Sequence, residues 1–416
     1  MLKLFLSNGN FRNFLLFQGL AGIGNGIFRI FMMWAVHAQY GNPLYTGIAG
    51  FMFVAPFVAG FLAGPFVDRR NKASLLRVTC LASLCVVALL LLVPYAHRPG
   101  VWFLLLAILV FSIADVFAGP ARTALLPKIV GDDELIKANA LISISATIAG
   151  LCIGFGLYVM MARGAGFELV YGANAAVMAA ALVFSIFVRD KGHEKPGAKA
   201  GADARRAYIS ELGQALAFVR RGVMLRVLLA LVFMSLFGQI AYVNVPEFAE
   251  AHMGTASGYI VLSALALVGG IIGSYIIRIV GPKLALSKIL VVGFVAAGVA
   301  RILFVNVIAT DVSRAIWIYV LYVGLGGALG ILIHTLQQKL SPKNMIGRVG
   351  AITTSITSAA AALGALLGGV AGTLLPSVDM ALVIQGASSI AIGAFLLMSR
   401  SMRELPKMDD VKRAEG

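Results

Sequence analysis

The stretch FRNFLLFQGLAGIGNGIFRIFMMWAVHAQ, residues 11–39, decides the class of fold. A helix rises about 1.5 Å per residue and the hydrocarbon core of a bilayer is roughly 30 Å thick, so about 20 apolar residues cross it. This stretch is longer than that, and beyond Arg12 its only formal charge is Arg29. It carries Gln18, Asn25 and Arg29 and has no short apolar core followed by a small-residue cleavage site. It therefore reads as a retained helix rather than a signal peptide.

The same signal recurs. Twelve such stretches are expected, at 11–39, 43–67, 74–95, 101–122, 137–162, 166–188, 223–250, 256–279, 284–308, 313–338, 348–375 and 379–400. Over 416 residues the chain is 60% hydrophobic and 12% charged, with a mean hydropathy of +0.92, more apolar than a soluble domain that must cover its core. The three cysteines, Cys80, Cys85 and Cys152, fall inside predicted helices and suggest neither a metal cluster nor a disulfide framework.

The formal net charge of +16 has a one-sided distribution. With a cytoplasmic N-terminus, twelve spans return the C-terminus to the same side, and 29 of the 34 Lys and Arg residues fall in cytoplasmic segments. Arg122 is counted among these, in the loop after span four. Basic charge thus orients the chain and meets anionic lipid headgroups, and no nucleic-acid partner is expected.

A polar interval, residues 189–222, separates six spans from six. The expected domains are an N-terminal six-helix bundle (1–188), a cytoplasmic linker with an amphipathic helix (189–222), a C-terminal six-helix bundle (223–400) and a cytoplasmic tail (401–416). Within the linker, Ile209, Leu212, Leu216 and Val219 recur at spacings of three and four, the pattern of a helix lying on the inner leaflet. The halves echo each other: GFLAGPFVDRRNKASLL after span two has its counterpart in GSYIIRIVGPKLALSKIL after span eight. The fold class is all-α and integral to the membrane, with twelve transmembrane helices in two pseudo-symmetric six-helix bundles, the parallel-repeat arrangement of one transporter class. Glycines at small-xxx-small spacing (Gly22 and Gly26, Gly60 and Gly64, Gly326 and Gly330, Gly364, Gly368 and Gly372) read first as helix-packing contacts.

At GPFVDRRNK, residues 64–72, the chain resembles the major facilitator superfamily. Gly64, Asp68, Arg69 and Lys72 are similar to that family's loop signature between helices two and three. FAGPARTALLPKIVGDDELIKANALIS and LQQKLSPKNMIGRVGAI resemble its drug:proton antiporter branch, which contains macrolide efflux proteins and the enterobactin exporter. The resemblance implies a gate at Asp68, against the N-terminal end of helix eleven. A helix dipole favours a carboxylate there, and Arg348 could add an ion pair. The plainer reading is that Asp68 only terminates helix two in a charged turn. Two features depart from the family pattern: GLCIGFGLYV in helix five has no proline, and the helix-four arginine motif is missing, with Asp115 in that region.

In span one, Gln18, Gly22, Asn25 and Arg29 follow at spacings of four, three and four, so they share one stripe. A charge at mid-bilayer costs at least about 2.5 to 3.5 kcal/mol and is offset by a partner or a wet cavity. Asp115 is the one acid well inside a span, at a depth within about one helical turn of Arg29. An Arg29–Asp115 pair is expected, since the resemblance implies that helices one, four, seven and ten line a central cavity. Burial and a neighbouring guanidinium act on a carboxyl in opposite senses, which makes Asp115 the candidate for proton coupling; a static charge pair is the competing reading.

The candidate substrate cavity comprises Asn25, Arg29, Trp34, Phe111, Asp115, Gln239, Tyr242, Gly330 and His334. Its mix of aromatic and polar groups suits a bulky, partly apolar molecule. Candidate gating residues are Gly64, Asp68, Arg69, Lys72 and Arg348. Arg301, close to the end of span nine, is expected to snorkel.

No G-x-x-x-x-G-K-[ST] motif appears, and His37, His97, His193, His252 and His334 form no cluster, so an ATPase or another enzyme is not expected. No cofactor or metal is implied. The expected function is secondary export of amphipathic small molecules or drugs by proton antiport with alternating access. The alternatives are export of a siderophore, lipid or metabolite, or proton-coupled uptake. Small-molecule substrate, protons and membrane lipids are the expected partners, with a monomer in a bacterial-type inner (plasma) membrane.

Overall fold

The computed structural model describes residues 2–92, 100–131, 134–190, 202–281, 283–342 and 345–403. Twelve helices in it are long and apolar enough to span a bilayer. They are built on α1 (Gly9–Tyr40), α2 (Pro43–Val58, whose span is completed by a 3-10 turn to Leu62), α3 (Lys72–Leu91), α4 (Val101–Val130), α5 (Leu135–Ala162), α6 (Phe167–Phe187), α7 (Gly222–Met253), α8 (Ala256–Val280), α9 (Leu286–Ile308), α10 (Val312–Leu340), α11 (Ile346–Leu374) and α12 (Val378–Met398). Hydropathy located all twelve.

Local chemistry sets several ends. Asn8 accepts from the N–H of Phe11 at 3.0 Å to start α1, and Gly41, at φ 59°, stops it with its N–H on His37 O. Asn71 accepts from the Ser74 N–H at 2.9 Å to start α3. Span two is broken: after α2 a 3-10 turn, Gly60–Leu62, leads to a short helix, Ala63–Asp68. Span four is longer than expected. Helix α4 runs through Pro120 and Pro127 to Val130, so Arg122 is a helix residue rather than a loop charge. Membrane helices tolerate such prolines because neighbouring groups take up the freed carbonyls.

The chain forms two compact units, residues 1–41 with 59–199, and residues 42–58 with 200–416. Helix α2 therefore groups with α7 to α12 rather than with the rest of residues 1–188.

In the first unit, Phe11, Phe14 and Phe17 of α1 pack with Leu76 of α3, Ala121 and Leu125 of α4 and Ala181 of α6. Asp190 ties the end of α6 to its neighbours. Its carboxylate is fully buried, accepts the Lys72 N–H at 3.1 Å and lies 3.5 Å from Lys128 Nζ. Arg77 adds hydrogen bonds to the carbonyls of Ser185 and Val188.

In the second unit, glycines allow backbones to meet. A Cβ on Gly47 of α2 would come within 2.5 Å of Gly369 Cα of α11, and one on Gly368 within 2.8 Å of Ile240 Cα of α7. Asn244 reinforces this seam, donating to Gly368 O at 2.9 Å. The packing reading holds for Gly26, Gly364, Gly368 and Gly372, but a Cβ at Gly22, Gly60, Gly64, Gly326 or Gly330 would meet nothing within 4 Å. The linker helix, Ala202–Val219, is present, and Ala215 and Val219 bury against Met224 and Leu228 of α7 and Val349 of α11. That part of its apolar face covers protein; the side chain of Ile209 and residues 191–201 lie outside the described residues, as do tail residues 404–416.

Candidate functional site

Asp115 is the centre of the polar group inside the first unit. Arg29 Nη2 of α1 donates to Asp115 Oδ2 at 2.8 Å, and Arg122 Nη2 donates to Oδ1 at 3.3 Å. Asn25 Nδ2 points at the same oxygen from 3.5 Å. The stripe on α1 thus does bring Asn25 and Arg29 to the one acid in α4. The Asp115 side chain is 15% exposed, against 36% for Arg29 and 24% for Arg122. One carboxylate between two guanidiniums leaves a local excess of one positive charge.

Beside it is a cleft of about 20 Å³, room for roughly one water molecule, lined by Asn25, Thr79, Ser83, Asp115 and Arg122 among others. Thr79 and Ser83 of α3 line the same cleft, so the carboxylate borders a partly polar space. Such a group can exchange a proton or accept a hydrogen bond from a bound molecule.

The remaining candidates scatter. Phe111 is fully buried and stacks on Phe28 with centroids 3.8 Å apart, so it packs α4 against α1 rather than lining a space. Trp34 is 9% exposed and lies 5.6 Å from His37. In the second unit Gln239 is half-buried, Tyr242 and His334 are exposed, and Gly330 borders open space.

Among the gating candidates, Gly64 is half-buried, Arg69 is exposed, and Lys72 is buried at the start of α3, where its N–H meets Asp190. Arg348 Nε pairs with Glu211 of the linker helix at 3.3 Å. The side chain of Asp68 lies outside the described residues, and with it the expected gate contact.

Sequence reading missed three residues. Arg122 lies seven positions from Asp115 in one helix, a spacing that puts both on one face, but a span ending at residue 122 leaves it in the loop. Asp190 falls within the expected linker, 189–222, yet its buried carboxylate belongs to the first unit. Arg301 does not snorkel: it is 3% exposed, with its guanidinium 4.8 Å from the ring centroid of Tyr322 and within 5.8 Å of those of Phe304 and Tyr319. Its position near the end of α9 concealed a side chain directed into protein.

Known proteins resemble this one along its length. Residues 14–365 match the family described as Major Facilitator Superfamily. The staphyloferrin A transporter of Staphylococcus aureus (strain NCTC 8325 / PS 47) is 29% identical over 45% of this chain, a match spanning less than half (44%) of that relative. The enterobactin exporter EntS of Salmonella typhi is 26% identical over 88% of this chain and 86% of its own. Among solved structures, that of the peptide transporter POT in complex with sulfate superposes with a TM-score of 0.74 at 13% identity, covering 96% of each chain.

Proposed function

The chain belongs to the major facilitator superfamily, and from that premise we propose that it exports an amphipathic small molecule of the siderophore class in exchange for protons, with Asp115 as the exchanging group. It is a multi-pass membrane transporter and not an enzyme. The observation that carries the proposal is the single carboxylate held by Arg29 and Arg122 inside the first unit.

The chemistry runs through the two oxygens of Asp115. A cargo hydroxyl, amide or ammonium that donates to them occupies the same lone pairs that a proton would take. Cargo and proton then exclude each other, which is the condition for exchange. Arg29 and Arg122 keep the empty carboxylate oriented and set aside from bulk water. The relatives' names place enterobactin and staphyloferrin A first among molecules to try. We further infer the gating role of Gly64, Asp68, Arg69, Lys72 and Arg348, termini on the cytoplasmic side and a monomeric state, as expected for this family.

A second reading rests on the same two arginines. An acidic cargo that took Arg29 and Arg122 for itself would release Asp115 to be protonated, and cargo and proton would travel together. Proteoliposomes loaded with a pH dye separate the two. Exchange moves protons against enterobactin or staphyloferrin A, co-transport moves them with it, and cargo movement indifferent to the proton gradient overturns both.

A further inference from the structure

We propose that Arg301 and the tyrosines around it form an anion site in the second unit, one that takes an aryl carboxylate. The inference rests on the transport reading above only in supposing that this group belongs to the cargo.

Arg301 lies within the span α9 and is 3% exposed, yet among the described residues no carboxylate lies within salt-bridge reach of it, in contrast to Arg29 and Arg122. Its neighbours are the rings of Tyr322, Phe304 and Tyr319, with centroids at 4.8, 5.6 and 5.8 Å. Ring faces attract a guanidinium but supply few acceptors for its five N–H donors: the Tyr319 hydroxyl offers one, and Arg301 Nε has no hydrogen-bond partner. A buried charge left in this state is costly in a membrane, and such residues mark the paths of substrates. A planar fork of donors is matched best by the two oxygens of a carboxylate.

The surroundings select what carries that carboxylate. Phe304, Tyr319 and Tyr322 form a continuous aromatic wall, with successive centroids 4.9 and 5.8 Å apart. Tyr322 is only half-buried, and Gly326 and Gly330 follow it at spacings of four on the same face of α10. A Cβ at either glycine would meet nothing within 4 Å. This bare strip continues the face of α10 that carries Tyr322, and Arg301 lies over the ring of that tyrosine. A flat ring can lie on the glycines while its carboxylate accepts from the Tyr322 hydroxyl and from Arg301.

Salicylate is the probe, measured by equilibrium dialysis against the purified full-length protein, with benzyl alcohol as the uncharged control. Saturable binding of salicylate is expected, with benzyl alcohol at least tenfold weaker. Arg301→Gln should lower salicylate affinity at least tenfold. Gly326→Leu fills the strip at a position where an added Cβ meets nothing within 4 Å, leaves Arg301 in place, and should lower affinity in the same way, so the test survives a misfolded Arg301 variant. Absence of salicylate binding to the wild type, or equal affinity in both variants, overturns the proposal. Proton exchange that persists without salicylate binding sinks the anion site alone, and the reverse pattern sinks the exchange reading alone.

Discussion

Arg29 of α1 and Asp115 of α4 close an ion pair at 2.8 Å, while Arg122 holds the other carboxylate oxygen at 3.3 Å. The pair joins residues 86 positions apart and sits where the proposed exchange takes place.

Asp115→Asn keeps the shape of the side chain and removes its ability to carry a proton. Both arginines remain partly exposed, at 36% and 24%, so the loss of stability should be nearer the roughly 1 kcal/mol of accessible pairs than the 3–5 kcal/mol of fully buried ones. The variant should insert, unfold within a few degrees of wild type, and show no proton-driven transport. Wild-type rates in proteoliposomes would remove Asp115 from the mechanism.

Arg122→Gln tests the residue that the structure added. The accessible pair with Asp115 contributes up to about 1 kcal/mol, so losing it should slow proton-driven transport by up to about fivefold. An unchanged rate, beside a strong effect of Arg29→Gln, would reduce Arg122 to a static partner of Asp115.

Gly368→Val and Gly22→Val form a matched pair. A side chain at Gly368 is driven into the Ile240 backbone, and overpacking of this kind costs about 1–3 kcal/mol or more, whereas one at Gly22 meets open space. Thermal unfolding in detergent should fall clearly for the first variant and little for the second.

Asp190→Ala leaves the Lys72 N–H without its acceptor at the start of α3 and removes the anion beside Lys128. An unsatisfied buried group costs about 1–3 kcal/mol. Faster protease cleavage near residues 189–201 and a lower unfolding temperature are expected; unchanged cleavage would show that Arg77 holds the end of α6 unaided.

The order of the twelve helices could be read from hydropathy because bilayer thickness writes itself directly into span length. The Arg29–Asp115 pair was legible for a related reason: a stripe at helical spacing met the one acid of comparable depth. What failed needed knowledge of neighbours. Span four is expected to end at residue 122 with Arg122 counted in the loop, which hides its place on the helix, and nearness to the end of α9 suggests that Arg301 snorkels when packing turns it inward. Spacing likewise marked glycine stripes alike, although Gly364, Gly368 and Gly372 touch other helices and Gly326 and Gly330 face open space.

The break after Val58 makes one span a tenon cut from the first half of the gene and seated in the second. A fragment beginning at residue 189 would lack the part that closes over Gly369, exposing a bare backbone ridge to lipid. Severing the chain at its longest polar interval should therefore yield two pieces of unequal fate, with the C-terminal one durable only when residues 42–58 are supplied alongside it.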